Sequence, residues 1–355
     1  MSRPLKLEIR MPRRPVAAFV AVLALAAAGC GPGPAASGCQ ASGAQGGCGA
    51  SAPPVALKVG LGYIPSVQFA PFYLAEQRGF YSQAGLAVTF ENKIDPDLVT
   101  LVGSGAIDVG VADGTSVIPA VSQAIPIRYV ATIYGTYPSI VFAKTTSGIT
   151  EAADLAGRKI GIPGKYGSSW VMLQALLGSA SLTPDDVTVV EYPDFGQGAA
   201  VQQGAVDAAT GFANNEPVQL ERNGEQAVVL HVDRIVPLPG PGLIAGTTTL
   251  GAKEAAIRAF IAQTLRAMEL IAAEPKAGLD AALAAVPELA GDRDNQAAIL
   301  DATIATWRDP TGSRRFGSID RAAWDASITY LATLDMVPNA VKVEDVIRDD
   351  LLQAR

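Results

Sequence analysis

The chain has 355 residues, enough for two domains of ordinary size, and 49% of them are apolar. Its formal net charge of −7 argues against nucleic-acid binding and against adhesion to anionic lipid, because both need clustered positive charge. All three cysteines lie before residue 50, and His231 is the only histidine. The body of the chain therefore has little material for a thiol nucleophile, a Cys/His metal site or a Ser-His-Asp triad.

The first predicted element is an export signal. A basic stretch ends at Arg14, and residues 16–29 form an apolar run that is short for a membrane span. The run ends at Ala27-Ala28-Gly29-Cys30, which resembles the lipobox of bacterial lipoproteins, with Ala27 in place of the usual leucine. We predict a signal peptide over residues 1–29 and lipidation of Cys30, the alternative being a plain signal peptide cut near Ala28.

A predicted tether follows at residues 30–54, where Gly, Ala, Ser and Pro dominate. The lipid, palmitate among its acyl chains, would hold the protein on the extracytoplasmic face of the cell membrane. Cys39 and Cys48 lie in this tether and could pair in an oxidising compartment. The sequence leaves that pairing open.

The body then alternates between strand and helix patterns. Strands are predicted to begin near residues 55, 86, 107, 127, 158, 187, 208 and 227. Helices are predicted over 69–79, 97–105, 116–123, 168–177, 198–204 and 216–223, and the chain is helical beyond about residue 250. This alternation predicts an α/β fold of two lobes, each a largely parallel sheet covered by helices. Ligands of such sheets bind at the carboxyl ends of the strands, and clefts between lobes are favoured pockets.

Candidate ligand-binding residues therefore follow the strands. In the first series, Tyr63, Gln68 and Phe69 follow the first strand and offer aromatic faces and an amide. Asp113 and Thr115 follow the third strand and open a helix, where they could hold a ligand or simply cap the helix.

The second series has its richest loop at residues 161–170. Tyr166 and Trp170 can stack on a ring, while Ser168 and Ser169 present hydroxyl and amide groups. The alternative is an ordinary strand-to-helix turn with a serine cap.

A later loop, residues 211–217, carries Phe212, Asn214 and Glu216. The two amides of Asn214 and Asn215 and a carboxylate at a helix start can recognise a ring edge that bears N–H and C=O groups. The alternative is a helix cap with Pro217 in the first turn. It explains residues 215–217 but not Phe212 and Asn214.

Other aromatic residues have competing interpretations. Tyr137, with Tyr134, follows a strand end and is a candidate for ring stacking or for packing at a hinge. Trp307 and Trp324 lie on the helical tail and are expected in the core, and His231 is expected to be structural. No pair of residues suited to general acid–base catalysis is apparent, so we predict no catalytic residue, metal or cofactor.

The stretch from Leu57 to Tyr81 resembles the opening of periplasmic binding proteins for thiamine precursors, a family that includes sulfonate, nitrate and riboflavin binders. Residues 164–170 and 212–220 are most similar to its riboflavin-binding branch. The resemblance implies a type II periplasmic-binding-protein fold that closes like a hinged clamp, with an ABC permease and ATPase as partners. It implies lobe 1 over residues 55–142 and 238–355 and lobe 2 over 143–237.

The same resemblance implies that a flat ring lies between the lobes. Tyr63 and Tyr166 would stack against it, and Gln68 and Asn214 would read its polar edge. Riboflavin is the leading ligand, and a thiamine-precursor pyrimidine is the alternative. A site for a sulfonate or nitrate should carry more positive charge than Lys165 alone supplies.

An enzyme is the alternative of a different class. The related fungal pyrimidine synthases use an internal histidine and a cysteine-rich motif. This chain has no cysteine after Cys48, and His231 is not near a pocket motif. We therefore predict a binding protein.

Overall fold

The computed structural model describes residues 53–94, 97–236 and 238–352. The predicted signal peptide, Cys30, Cys39 and Cys48 lie outside the described residues. Within them, no helix is both long enough and apolar enough to cross a bilayer.

The strands of the described part form two sheets of five. They are β1 (Val55–Leu61), β2 (Leu86–Asn92), β3 (Val109–Ala112), β4 (Ile127–Thr132), β5 (Ser139–Lys144), β6 (Lys159–Ile162), β7 (Thr188–Glu191), β8 (Ala208–Phe212), β9 (Ala227–His231) and β10 (Gly242–Gly246). The first sheet has the order β2-β1-β3-β10-β4, and the second has the order β7-β6-β8-β5-β9. Both are mixed sheets, with one antiparallel strand in the fourth position.

The α-helices lie between and after these strands. They are α1 (Ala70–Gln77), α2 (Phe80–Gln83), α3 (Asp97–Ser104), α4 (Gly114–Ser122), α5 (Gly167–Ser179), α6 (Gln197–Gln203), α7 (Glu216–Arg222), α8 (Thr247–Ala273), α9 (Pro275–Ala285), α10 (Arg293–Thr306), α11 (Arg321–Thr333) and α12 (Val343–Val346). The expected alternation and the helical tail are both present. We call the part built on the first sheet lobe 1 and the part built on the second sheet lobe 2.

Two strands were not predicted, β5 and β10, and they are the ones that cross between the sheets. The chain leaves the first sheet after Thr132 and enters the second at Ser139, then returns between His231 and Gly242. Each crossing strand pairs antiparallel with two strands of the sheet it enters. The predicted lobe boundaries at residues 142 and 237 stay a prediction.

Lobe 1 packs around a core of stacked aromatic rings. Tyr81 stacks on Phe260 of α8 with ring centroids 5.0 Å apart, and its hydroxyl lies 2.8 Å from that of Thr264. Trp307 and Trp324 are both buried, as expected. The helical tail therefore belongs to the core.

The loops that follow the parallel strands line a common cleft. β1 pairs in parallel with β2 and β3, and β6 pairs in parallel with β7 and β8. Gly62 is needed where the chain leaves β1, because a Cβ there would lie 2.3 Å from the carbonyl oxygen of Val111 on β3. The loops after β1, β3, β6, β7 and β8 all contribute residues to the cleft.

Candidate ligand-binding site

Most of the residues singled out from the sequence line this cleft. They are Tyr63, Gln68, Phe69, Asp113, Tyr166, Ser168, Ser169, Phe212 and Glu216. Thr115, Tyr137, Trp170 and Asn214 are not in the lining. Residues of both lobes therefore face one space, as ligand capture between lobes requires.

Aromatic rings meet across the cleft. Tyr63, from the loop after β1, contacts Phe195, from the loop after β7, edge to face with ring centroids 4.9 Å apart. Phe195 holds a φ of +61°, a left-handed conformation that costs an L-residue energy and that recurs at functional sites. Tyr134 and the 38% exposed Tyr166 add two further rings to the lining.

Gln68 is the centre of a buried hydrogen-bond network between the lobes. Its Nε2 donates to Ser66 Oγ at 3.1 Å. Its Oε1 accepts from the Tyr134 hydroxyl at 3.3 Å and from Asn214 Nδ2 at 2.9 Å. Asn214 also donates to Thr303 Oγ1 of α10 at 2.9 Å. Asn214 of lobe 2 is therefore hydrogen-bonded to two residues of lobe 1, and only 1% of its surface is exposed.

Asp113 is a buried carboxyl of lobe 1 that lines the cleft. It caps α4 by accepting the Thr115 N–H at 2.9 Å and the Thr115 hydroxyl at 2.5 Å. Burial raises its pKa, and donors from Thr115, Ser116 and Ser168 offset part of that rise. Since Ser168 begins α5 of lobe 2, it places a hydroxyl of the other lobe beside this carboxyl.

Thr115 and Tyr137 neighbour Asp113 but are not part of the cleft lining. Thr115 is buried and bonded to the carboxyl, which supports the capping interpretation. Tyr137 is buried as well, and burial together with the charge of Asp113 raises the pKa of its hydroxyl well above the ordinary value. Both residues shape the surroundings of Asp113.

Glu216 is the corresponding carboxyl of lobe 2. Its Oε2 accepts the Phe212 N–H at 2.8 Å, and Gln197 Nε2 lies 3.4 Å from its Oε1. Burial raises its pKa to about 7, although the backbone N–H groups favour the charged form. Gly211 makes room for the group, because a Cβ there would lie 2.8 Å from Oε2. Desolvation also raises the pKa of the nearby Tyr63 hydroxyl, and the Glu216 charge adds to that rise.

Several lining residues were not proposed as ligand contacts from the sequence, among them Phe195 and Gln197. Phe195 and Gln197 lie in the segment after β7. Their position after a strand is the sequence signal that points to them. Asn215, the second amide of the loop at residues 211–217, also lines the cleft, and its side chain makes no capping bond to α7 but accepts from Gln219 at 2.8 Å.

Two residues stand apart from the cleft. Trp170 is half-buried against the lobe 2 core, and the Lys165 ammonium lies 5.5 Å from its ring centroid. His231 ends β9, with Nδ1 3.4 Å from Asp233 Oδ1, and it is not part of the lining. Among the described residues, no three or more His, Cys, Asp or Glu side chains cluster as a metal would need.

The chemistry of the lining is aromatic, amide and carboxyl. The described residues that line the cleft include Asp113 and Glu216 but no lysine or arginine. The arrangement can hold a flat ring by stacking and can accept hydrogen bonds from its edge. It offers no side-chain cation to an anionic ligand.

Residues 66–278, more than half of the chain, match the family described as NMT1/THI5 like. The chain belongs to this family. Similar members include the riboflavin-binding protein RibY of Chloroflexus aurantiacus, 29% identical over 299 residues, which cover 83% of this chain and 85% of RibY. The 4-amino-5-hydroxymethyl-2-methylpyrimidine phosphate synthase of Aspergillus parasiticus is 27% identical over 59% of this chain and 65% of that enzyme.

The periplasmic-binding-protein fold predicted from the sequence is confirmed. The periplasmic aliphatic sulphonate-binding protein SsuA of Escherichia coli matches 84% of this chain and 99% of its own, with a TM-score of 0.67 and 19% identity. At this identity the likeness speaks for the fold alone. Together with the family match, it makes this chain an NMT1/THI5-like protein with a periplasmic-binding-protein fold.

Proposed function

We propose that this protein is the solute-binding component of an ABC importer and that its ligand is riboflavin. The observation that carries the proposal is the cleft itself, in which rings from both lobes and the amides of Gln68 and Gln197 surround one space. An isoalloxazine ring is flat and uncharged, and it carries an N–H flanked by carbonyl groups. Stacking on aromatic faces and a hydrogen bond from the ring N–H to an amide or carboxyl oxygen are interactions that suit such a ring.

The similarity to RibY supports the ligand class, since it spans most of both chains. The pyrimidine phosphate synthases support a second candidate, a pyrimidine of the thiamine-precursor type, because one of them is 27% identical over 59% of this chain. Catalysis is not part of the proposal. The described body contains no cysteine, and its one histidine lies outside the cleft.

A fluorescence titration tests the proposal. Purified protein should quench riboflavin emission at micromolar concentrations, and Tyr63→Ala and Tyr166→Ala should each weaken binding about tenfold, which corresponds to the loss of one ring contact. Tyr330→Ala, on α11 outside the cleft, is the matched control and should bind like the wild type. No quenching by the wild type would reject riboflavin. Displacement by the pyrimidine alone would favour the second candidate.

Attachment to the membrane is proposed from the sequence. We propose that Cys30 carries the lipid and that residues 31–54 tether the binding domain outside the cell. Cys30→Ala should abolish incorporation of labelled palmitate and release the protein from the membrane fraction. A variant that keeps both the label and the membrane location would exclude Cys30 as the lipidated residue.

A further inference from the structure

Two carboxyl groups face the cleft from opposite lobes. Asp113 comes from the start of α4 and Glu216 from the start of α7, and burial disfavours the charged form of both. Among the described lining residues there is no lysine or arginine to offset them. Lys165, next to the lining residue Tyr166, has its ammonium over the Trp170 ring. Among the described lining residues, the cleft thus presents carboxyl groups and no side-chain cation.

A third acceptor lies beside Glu216 in the lining. Gln197 is 1% exposed, and its Oε1 has no hydrogen-bond partner among the described residues. Its Nε2 is already directed at Glu216 Oε1 and at the carbonyl oxygen of Thr210, at 3.4 and 3.5 Å. A buried acceptor without a donor is costly unless a bound molecule supplies one. The site therefore calls for N–H or O–H donors from its ligand.

We infer that the cleft selects an uncharged ligand rich in hydrogen-bond donors and rejects its phosphorylated or sulfonated analogues, and that Asp113 and Glu216 make this selection. The inference rests on the proposed function and adds to it the property by which ligands are sorted. Above its pKa of about 7 the Glu216 carboxyl is mostly ionised, and a phosphate brought beside it then meets like charge in a medium that screens it poorly. The sulphonate-binding SsuA proteins share the fold, so the selection would lie in the lining and not in the architecture.

Riboflavin and riboflavin 5′-phosphate are the probes that isolate this property, because they share ring and side chain and differ by the phosphate alone. Both are titrated against the full chain at about pH 8, where the phosphate is doubly charged. We expect the phosphate ester to bind at least about 100-fold more weakly, since like-charge contacts of this kind are strongly unfavourable. Affinities within about threefold of each other would overturn the inference.

Two substitutions assign the selection to its residues. Glu216→Gln and Asp113→Asn keep the shape of each side chain and remove its charge. Each should reduce the discrimination against the phosphate ester about tenfold, while riboflavin binding changes less. Glu221→Gln, on the exposed side of α7, is the matched control and should keep the wild-type ratio. Unchanged ratios in both cleft variants would overturn the role of these residues.

The outcomes separate the two proposals. If the wild type binds both flavins equally, the selection is wrong while the riboflavin proposal stands. If the wild type binds neither flavin, the proposed function falls and this inference falls with it. Should one variant fail to fold, the other variant and the wild-type ratio still decide.

Discussion

The two lobes share a strand order but differ in how their cleft-side polar groups are satisfied. In lobe 1, Gln68 uses both ends of its amide, and Asp113 accepts from the backbone and the side chain of Thr115. In lobe 2, the lining residue Gln197 has an Oε1 with no partner among the described residues. Buried atoms without a described partner also occur away from the lining in both lobes, among them Thr210 Oγ1 in lobe 2 and Asn295 Oδ1 and Trp307 Nε1 in lobe 1. The contrast lies in hydrogen bonding and not in architecture.

This difference suggests a division of labour. A buried polar group that is fully bonded stabilises the fold and fixes its neighbours, whereas one left open costs stability until a ligand completes it. We therefore expect substitutions in lobe 1 to act mainly on stability and substitutions in lobe 2 to act mainly on ligand affinity. The following predictions test that division, beginning with the largest expected effect.

Gln68→Ala should lower the free energy of unfolding by about 3 kcal/mol, because it removes three side-chain hydrogen bonds and leaves buried partners unsatisfied. Urea unfolding followed by circular dichroism measures the change. Gln123→Ala, at the exposed end of α4, is the control and should cost less than about 0.5 kcal/mol. A loss below about 1 kcal/mol for Gln68→Ala would break the comparison, since the bonds of lobe 1 would then not be supporting the fold.

Glu216 should make the protein less stable as the pH rises. Its pKa is raised from 4.5 to about 7 on folding, so between these values the unfolded chain gives up a proton that the folded chain keeps. Stability is therefore highest below pH 4.5 with respect to this group and falls through the window up to about pH 7. The hydroxyl of Tyr63, which faces the carboxyl, has a raised pKa and stays neutral throughout.

Urea unfolding at pH 5 and pH 8 measures this slope. The wild type should lose about 2 kcal/mol more than Glu216→Gln between the two pH values, because the amide cannot titrate. Asp113 shifts in the same direction but is present in both proteins, so it cancels in the difference. Equal losses in the two proteins would mean that Glu216 is not desolvated in the folded chain.

The sequence predicts the parallel parts of both sheets well, because each parallel strand is followed by a helix with its own period and caps. β5 and β10 escaped because neither alternates between apolar and polar residues and because their partner strands are distant in the chain. β10 also carries glycine at both ends. Gly242 is required there, since a Cβ would lie 2.1 Å from the Tyr129 hydroxyl, and only the assembled sheet reveals that contact.

The candidate site was predicted to a similar degree. Tyr63, Asp113 and Glu216 were found because they follow strands, and this position alone brings them to the cleft edge. The sequence gives no sign that Asn214 bonds Gln68 while lying outside the lining, because that depends on how the lobes meet. Hydrogen-bond satisfaction is a tertiary property, and the difference between the lobes is visible only in three dimensions.

Gln197→Leu is the counterpart of the Gln68 substitution in lobe 2. It removes a buried acceptor without a partner and two long contacts, so stability should change by less than about 1 kcal/mol. Riboflavin affinity should fall about tenfold, because the ligand loses its acceptor. Calorimetric titration beside urea unfolding separates the two effects, and Gln203→Leu, on the exposed face of α6, controls for the change of residue type. A large stability loss with unchanged affinity would reverse the assignment.

The smallest expected effect concerns Lys165, which precedes the lining residue Tyr166 in the chain. Lys165 is exposed and rests over Trp170, outside the lining, so Lys165→Ala should change riboflavin affinity less than about twofold. An anion binder would behave otherwise, since removing its one nearby ammonium should weaken binding steeply and make the residual affinity insensitive to salt. Titrations of both proteins at low and high salt decide the matter. If the wild type binds nitrate or a sulfonate and the substitution abolishes that binding, the acceptor character assigned to this cleft is wrong.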